Sequence, residues 1–201
     1  MTDRQIRIKA LIKSIISYLD KHRADMSGVE MTLRKLEEID LSDQQLVDIK
    51  PKGTRHERVL NKAISGINAQ QLNEIASCLY AAKDDLVWLE DNSQYYQPGA
   101  NLGPGYKNCN LHTLLIGPNS CGYQSDDFLL GVFMLGPRTF YRDHKHDAPE
   151  LYLNLSDKSG WRFELGEWKD YPAGSLVWNA PGERHAARVY EQPFISVFAW
   201  L

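Results

Sequence analysis

The sequence predicts a mainly β protein with a helical N-terminal region, and three observations predict it. Apolar residues in the first ninety positions recur at three- and four-residue steps. From Leu111 onward they fall instead in short runs separated by Gly, Pro, Asn and Asp. Within that second part, histidines and a carboxylate are spaced so that strand alternation would turn them toward one interior. Residues 1–90 are accordingly read as a helical region and 91–201 as a β-barrel that binds a metal and carries the chemistry.

Ile8, Leu11, Ile12, Ile15, Ile16 and Leu19 form the stripe of an amphipathic helix, which places a helix over residues 4–23. Similar stripes run over 29–36, over 59–67, and over 72–79 continuing toward Trp88. Ser42 followed by Gln45 and Leu46 resembles a capped short helix. Asn92-Ser93, Gln97-Pro98-Gly99 and Gly103-Pro104-Gly105 then break the helical pattern. Short apolar runs follow at 112–116, 128–135, 151–155, 161–165, 175–178 and 194–200, the rhythm of a sandwich or barrel. The helices are expected to cover one flank of it or to contribute to a homodimer contact.

Composition narrows the function. The chain has 201 residues and a net charge of −3, without a basic stripe that would track phosphates, so nucleic acid is not expected as a partner. No stretch approaches the ~20 apolar residues that a membrane span needs. The N-terminus lacks the apolar core of a secretory signal, which predicts a cytoplasmic protein. Cys78, Cys109 and Cys121 show no CxxC spacing, and no disulfide framework is expected.

The densest chemistry lies in Tyr141-Arg-Asp-His144-Lys-His146-Asp-Ala-Pro-Glu150-Leu-Tyr152, answered by His185 in Pro181-Gly182-Glu183-Arg184-His185. Alternation along a strand lets His144 and His146 face one interior, and a turn at Asp147-Ala148-Pro149 returns Glu150 and Tyr152 to it. Two or three imidazoles with one carboxylate suit a divalent transition metal that keeps open positions for substrate; iron, manganese, zinc, cobalt and nickel all match this mixed set. His22 and His56 read as helix-end or surface residues, and His112 as structural in preference to a place facing a pocket.

These residues resemble the two motifs of the cupins, small β-barrels of the double-stranded β-helix, jelly-roll-like type. The first motif spans residues 136–150 with His144, His146 and Glu150 in place; the second spans 174–185 and ends on His185. The gap from Gly136 to His144 is longer than the general pattern, and no Gly follows Glu150 at the usual interval. Within the cupins, the sequence is similar to the dimethylsulfoniopropionate (DMSP) lyases of marine bacteria, the DddQ and DddL type. The similarity rests on Tyr141, on the block from His144 to Tyr152, on Gly160-Trp161-Arg162-Phe163, and on the closing segment from Pro193 to Trp200.

That resemblance implies metal-dependent cleavage of DMSP to acrylate and dimethyl sulfide by β-elimination. His146, Glu150 and His185 are the surest ligands it implies, with His144 ligating or standing beside the metal. Tyr152 is the first choice for the base and Tyr141 the second, since a nearby cation lowers a phenol's pKa. A sulfonium is held by aromatic faces, for which Trp178 is the leading candidate and Tyr106, Tyr123, Phe133 and Trp161 are others. Arg162 and Arg184 are candidates to meet the substrate carboxylate.

Overall fold

The computed structural model describes residues 1–91 and 101–201. The helix breaks read at Asn92-Ser93 and Gln97-Pro98-Gly99 lie outside the described residues. Helix α1 (Asp3–Lys21) opens on a capping box: Thr2 Oγ1 accepts from the Gln5 amide at 3.2 Å while the Gln5 side chain accepts from the Thr2 amide at 2.9 Å. Its stripe, Ile8, Leu11, Ile12, Ile15 and Leu19, is fully buried. Helices α2 (Ser27–Glu37), α3 (Glu57–Ser65) and α4 (Asn73–Ala82) follow the other stripes. His22 and His56 sit at helix ends, as expected.

Two expected helices are corrected. The stripe toward Trp88 stops at Ala82: acidic Asp84 and Asp85 disfavour a helix C-terminus, and Asp85 pairs with Arg7 of α1 at 2.6 Å. Beyond them the chain is extended, with Val87 bridged to Lys52 and Leu89 to His112. Ser42 supplies no side-chain cap, and the segment after it is a single 3-10 turn, Asp43–Gln45.

A short helix, α5 (Pro104–Asn108), leads into nine antiparallel strands: β1 (Asn110–Ile116), β2 (Leu129–Leu135), β3 (Phe140–His144), β4 (Glu150–Asn154), β5 (Lys158–Phe163), β6 (Lys169–Pro172), β7 (Leu176–Asn179), β8 (His185–Val189) and β9 (Phe194–Trp200). They form one sheet in the order β1-β2-β9-β4-β7 and a second in the order β3-β8-β5-β6. Strand β5 ends earlier than the apolar run to Leu165 suggests, because Glu164 and Leu165 take positive φ and turn the chain, leaving Leu165 exposed. Strand β6 is a polar Lys-Asp-Tyr-Pro edge with no apolar run to announce it, and Pro172 is tolerated there.

Alternation assigns the two faces of the first sheet. Leu151 and Leu153 of β4, with Leu130, Val132, Ile195 and Val197, turn outward and join Ile8, Leu11, Ile15, Val29 and Leu79 in one hydrophobic core. The helices thus cover one flank of the barrel, and the apolar core runs unbroken from the helical segment into the strands. Phe133, Tyr152, Phe194 and Phe198 turn inward and meet Tyr141, Trp161, Ala187 and Val189 of the second sheet. The two sheets therefore enclose an aromatic interior, the jelly-roll-like barrel that the sequence implies. Among the described residues, no helix is long and apolar enough to cross a membrane.

Candidate metal centre and cavity

His144 ends β3 directly across from His185, which begins β8. Tyr141 and His144 are three residues apart and would face opposite ways on a regular strand. A register shift between them turns both inward. His146 lies just past β3, its Nδ1 2.7 Å from the Ala148 carbonyl, which folds the connection back so that Glu150 starts β4 beside it. Glu150 is paired with Trp200 on one side and with Asn179 on the other. The ends of five strands, β3, β4, β7, β8 and β9, thereby converge.

The imidazoles are oriented by the backbone. Nδ1 of His144 lies 2.7 Å from the Arg142 carbonyl, and Nδ1 of His185 lies 3.0 Å from that of Glu183. A carbonyl only accepts, so each Nδ1 carries the hydrogen and each Nε2 presents a lone pair inward. The ring nitrogens of His144, His146 and His185 lie within 4.8 Å of one another. His185 Nε2 is buried with no hydrogen-bond partner. His146 Nε2 is hydrogen-bonded to Glu150 Oε2 at 3.2 Å, the nitrogen donating to the carboxylate.

The charges follow. Burial, reinforced by neighbouring His185, drives the His144 pKa down to about 3, and burial lowers that of His185. Burial also opposes charge on His146 and Glu150, but each outweighs it for the other: His146 is raised, and Glu150 is held below the usual carboxylate range by His146 and His185, with help from Tyr152. Asn179 adds a 2.9 Å hydrogen bond from Nδ2 to Glu150 Oε2. Two neutral imidazoles, a third that tolerates charge and a fixed carboxylate form a donor set suited to a divalent transition metal.

Beside this cluster is a cavity lined by Glu150, Tyr152, Phe198 and Trp200 and by Phe133, Tyr106, His112 and Asp91. Tyr152 thus faces both the carboxylate and the cavity. Tyr141 is inside the barrel but sandwiched, its ring 4.2 Å from that of His144 and 4.5 Å from that of Tyr106, and it is not part of the cavity wall.

The aromatic candidates divide sharply. Tyr106 and Phe133 line the cavity. Trp178 is corrected: it stands opposite Leu151 on the outward face and packs on Gly28 of α2, so it cannot form a cavity wall. Tyr123 is corrected as well, being buried in the helix-covered core with its hydroxyl donating to the Leu41 carbonyl at 3.0 Å. Trp161 is inside the barrel but lies behind Tyr152, 4.9 Å between rings, with its indole donating to Ser159. Arg162 is bound to Asp143 and stacks on Trp168 away from the interior, and Arg184 is not among the cavity residues.

Sequence reasoning missed Asp91, Trp200 and Asn179; for His112 it preferred a structural role, and the structure shows the alternative, a place on the cavity wall. Trp200 and Asn179 had a usable signal, since both follow from extending the alternation of β9 and β7 to their last residues. Asp91 had none, because it reaches the cavity through a loop.

Comparison with known proteins bears on this site. A family model described as dimethylsulfoniopropionate lyase matches residues 29–196. A search of curated proteins finds no match. Among solved structures, a chain from the crystal structures of the DMSP lyases RdDddP and RnDddQII is 16% identical, with a TM-score of 0.71 over 98% of this chain and 93% of that one. The DMSP lyase DddQ from Ruegeria pomeroyi DSS-3 is 19% identical, with a TM-score of 0.65 over 95% of this chain and 90% of that one. At such identities the two structures share the fold.

Proposed function

Since the chain belongs to the dimethylsulfoniopropionate lyase family and is a carbon–sulfur lyase, we propose that DMSP is cleaved in the cavity beside Glu150 by a β-elimination in which Tyr152 takes the proton. The carrying observation is that Tyr152 alone of the two candidate tyrosines faces both Glu150 and the cavity.

His144, His146, Glu150 and His185 would hold a divalent transition metal, which supplies Lewis-acid polarisation of the substrate carboxylate. Asn179 keeps the Glu150 carboxylate turned toward the histidines. Tyr152, two residues along the same face of β4, presents its phenolic oxygen to the carbon next to that carboxylate. It removes one proton; the electron pair left behind forms the carbon–carbon double bond of acrylate, and the carbon–sulfur bond breaks with both electrons leaving on dimethyl sulfide. The positive sulfonium becomes a neutral thioether, so its departure needs no acid. The difficult event is the proton removal, for which Tyr152 is the proposed base. Tyr141 has a supporting role, holding the His144 ring by stacking.

The apolar walls, Leu114, Leu129, Phe133 and Phe198, limit water around the reacting atoms. The test is stoichiometric: protein loaded with a divalent metal should release dimethyl sulfide and acrylate in equal amounts from DMSP. Silence in folded, metal-loaded protein with every first-row divalent ion would overturn this function.

A further inference from the structure

We propose that Asp91 is the counter-ion for the sulfonium end of the substrate and so sets the enzyme's preference for a cationic over a neutral substituent, an assignment that rests on the function proposed above. DMSP carries a carboxylate and a sulfonium three bonds apart, and the cavity must treat the two ends differently.

The described cavity wall contains two carboxylates, Asp91 and Glu150, and no lysine or arginine. Glu150 is committed to His146 and Asn179. Asp91 lies toward the other end of the wall, next to β1, and β1 and β4 are three strand steps apart in the sheet order β1-β2-β9-β4. Both carboxylates line the one cavity, so a small zwitterion can lie between the histidine cluster and Asp91.

Asp91 is held from two sides. Its amide donates to Asn110 Oδ1 at 2.6 Å, and the Tyr106 hydroxyl donates to Asp91 Oδ2 at 2.5 Å. Asn110 is buried and in turn donates to the Tyr106 carbonyl at 2.9 Å, closing a small rigid unit. His112 on the adjoining wall stays neutral, because burial lowers its pKa, and so does not oppose a cation. Tyr106 and Phe133, which line the same cavity, add aromatic surface beside this negative charge. A sulfonium has no hydrogen to donate, so field and polarizable surface are what can recognise it.

The test uses metal-loaded protein and a pair of unreactive, nearly isosteric carboxylates, 3-(trimethylammonio)propionate and its uncharged carbon analogue 4,4-dimethylpentanoate, with affinities measured by calorimetry. Wild-type protein should bind the cation about tenfold more tightly or better. Asp91→Asn, which keeps the side chain's size, should reduce that ratio about tenfold while leaving the neutral ligand's affinity and the metal content in place. A ratio unchanged by Asp91→Asn, including loss of both ligands together, overturns the assignment. A second measurement needs no variant: wild-type protein should bind glutarate more weakly than 4,4-dimethylpentanoate, and equal binding of the two contradicts a fixed negative charge at that end. Neither measurement depends on turnover, so failure to release dimethyl sulfide would sink the lyase reading and leave the question of Asp91 separately decided.

Discussion

His144 and His185 are direct partners across β3 and β8, with ring centroids 4.3 Å apart and planes inclined at 66°. Two buried imidazoles in that relation, each tied by Nδ1 to a backbone carbonyl, gain little from one another and a great deal from a shared metal. His185→Ala should therefore bring metal content to near zero in purified protein and abolish dimethyl sulfide release with it, as should His146→Ala. Elemental analysis of the purified variants checks this; a His185→Ala protein with full metal content would remove His185 from the ligand set.

The same burial makes the metal-free protein sensitive to acid. The folded-state pKa of His144 is about 3, against about 6.5 when the chain is unfolded. Between those values the unfolded chain binds a proton that the native state refuses, so native stability falls as pH drops below 6.5. The lowered His185 and Glu150 act in the same direction, and the raised His146 opposes them. From His144 the loss between pH 6.5 and 5 is on the order of 2 kcal/mol. Urea unfolding of stripped protein at the two pH values reads it, and His144→Phe should flatten the difference. A pH-independent midpoint in both proteins would show that the imidazole is not buried neutral.

Much of this architecture was legible. The stripe from Ile8 to Leu19 gave α1 because a helix that must cover a sheet shows its periodicity in full. His144, His146 and His185 could be grouped from spacing, although only His144 and His185 lie on strands and the connection after β3 brings His146 to them. Two kinds of information were not legible. The inward turn of both Tyr141 and His144 depends on a register shift that no residue type announces. The fate of each aromatic depends on which face of its strand the helices cover: Trp178 within the second motif looked like a cavity wall, whereas the small Gly28 of a distant helix claims it for the outer core.

That contact carries its own consequence. A Cβ on Gly28 would fall 2.2 Å from Cε3 of Trp178, so the helix sits as close to the sheet as a glycine permits. Gly28→Ala should destabilise by about 2 kcal/mol through overpacking, lowering Tm by roughly 6 °C. Since Trp178 faces away from the cavity, KM for DMSP should be unchanged. Thermal melts and initial rates on the one variant check both halves, and a raised KM with an unchanged Tm would return Trp178 to the substrate site.

Metal removal should act on both function and stability. A strong chelator should abolish turnover and lower Tm, since a ligand that binds only the native state stabilises it, and both should return when a divalent ion is restored. Turnover that survives complete stripping would exclude a metal role for the histidine cluster.

The most direct test of the mechanism is the rate of dimethyl sulfide release by Tyr152→Phe protein with its metal content confirmed equal to wild type, measured by headspace gas chromatography beside Tyr141→Phe. Removal of the proton acceptor should cost at least ~100-fold in turnover with the metal retained, and Tyr141→Phe should be the milder variant. Near-wild-type release by Tyr152→Phe, with Tyr141→Phe inactive, would contradict the assignment and move the base to Tyr141.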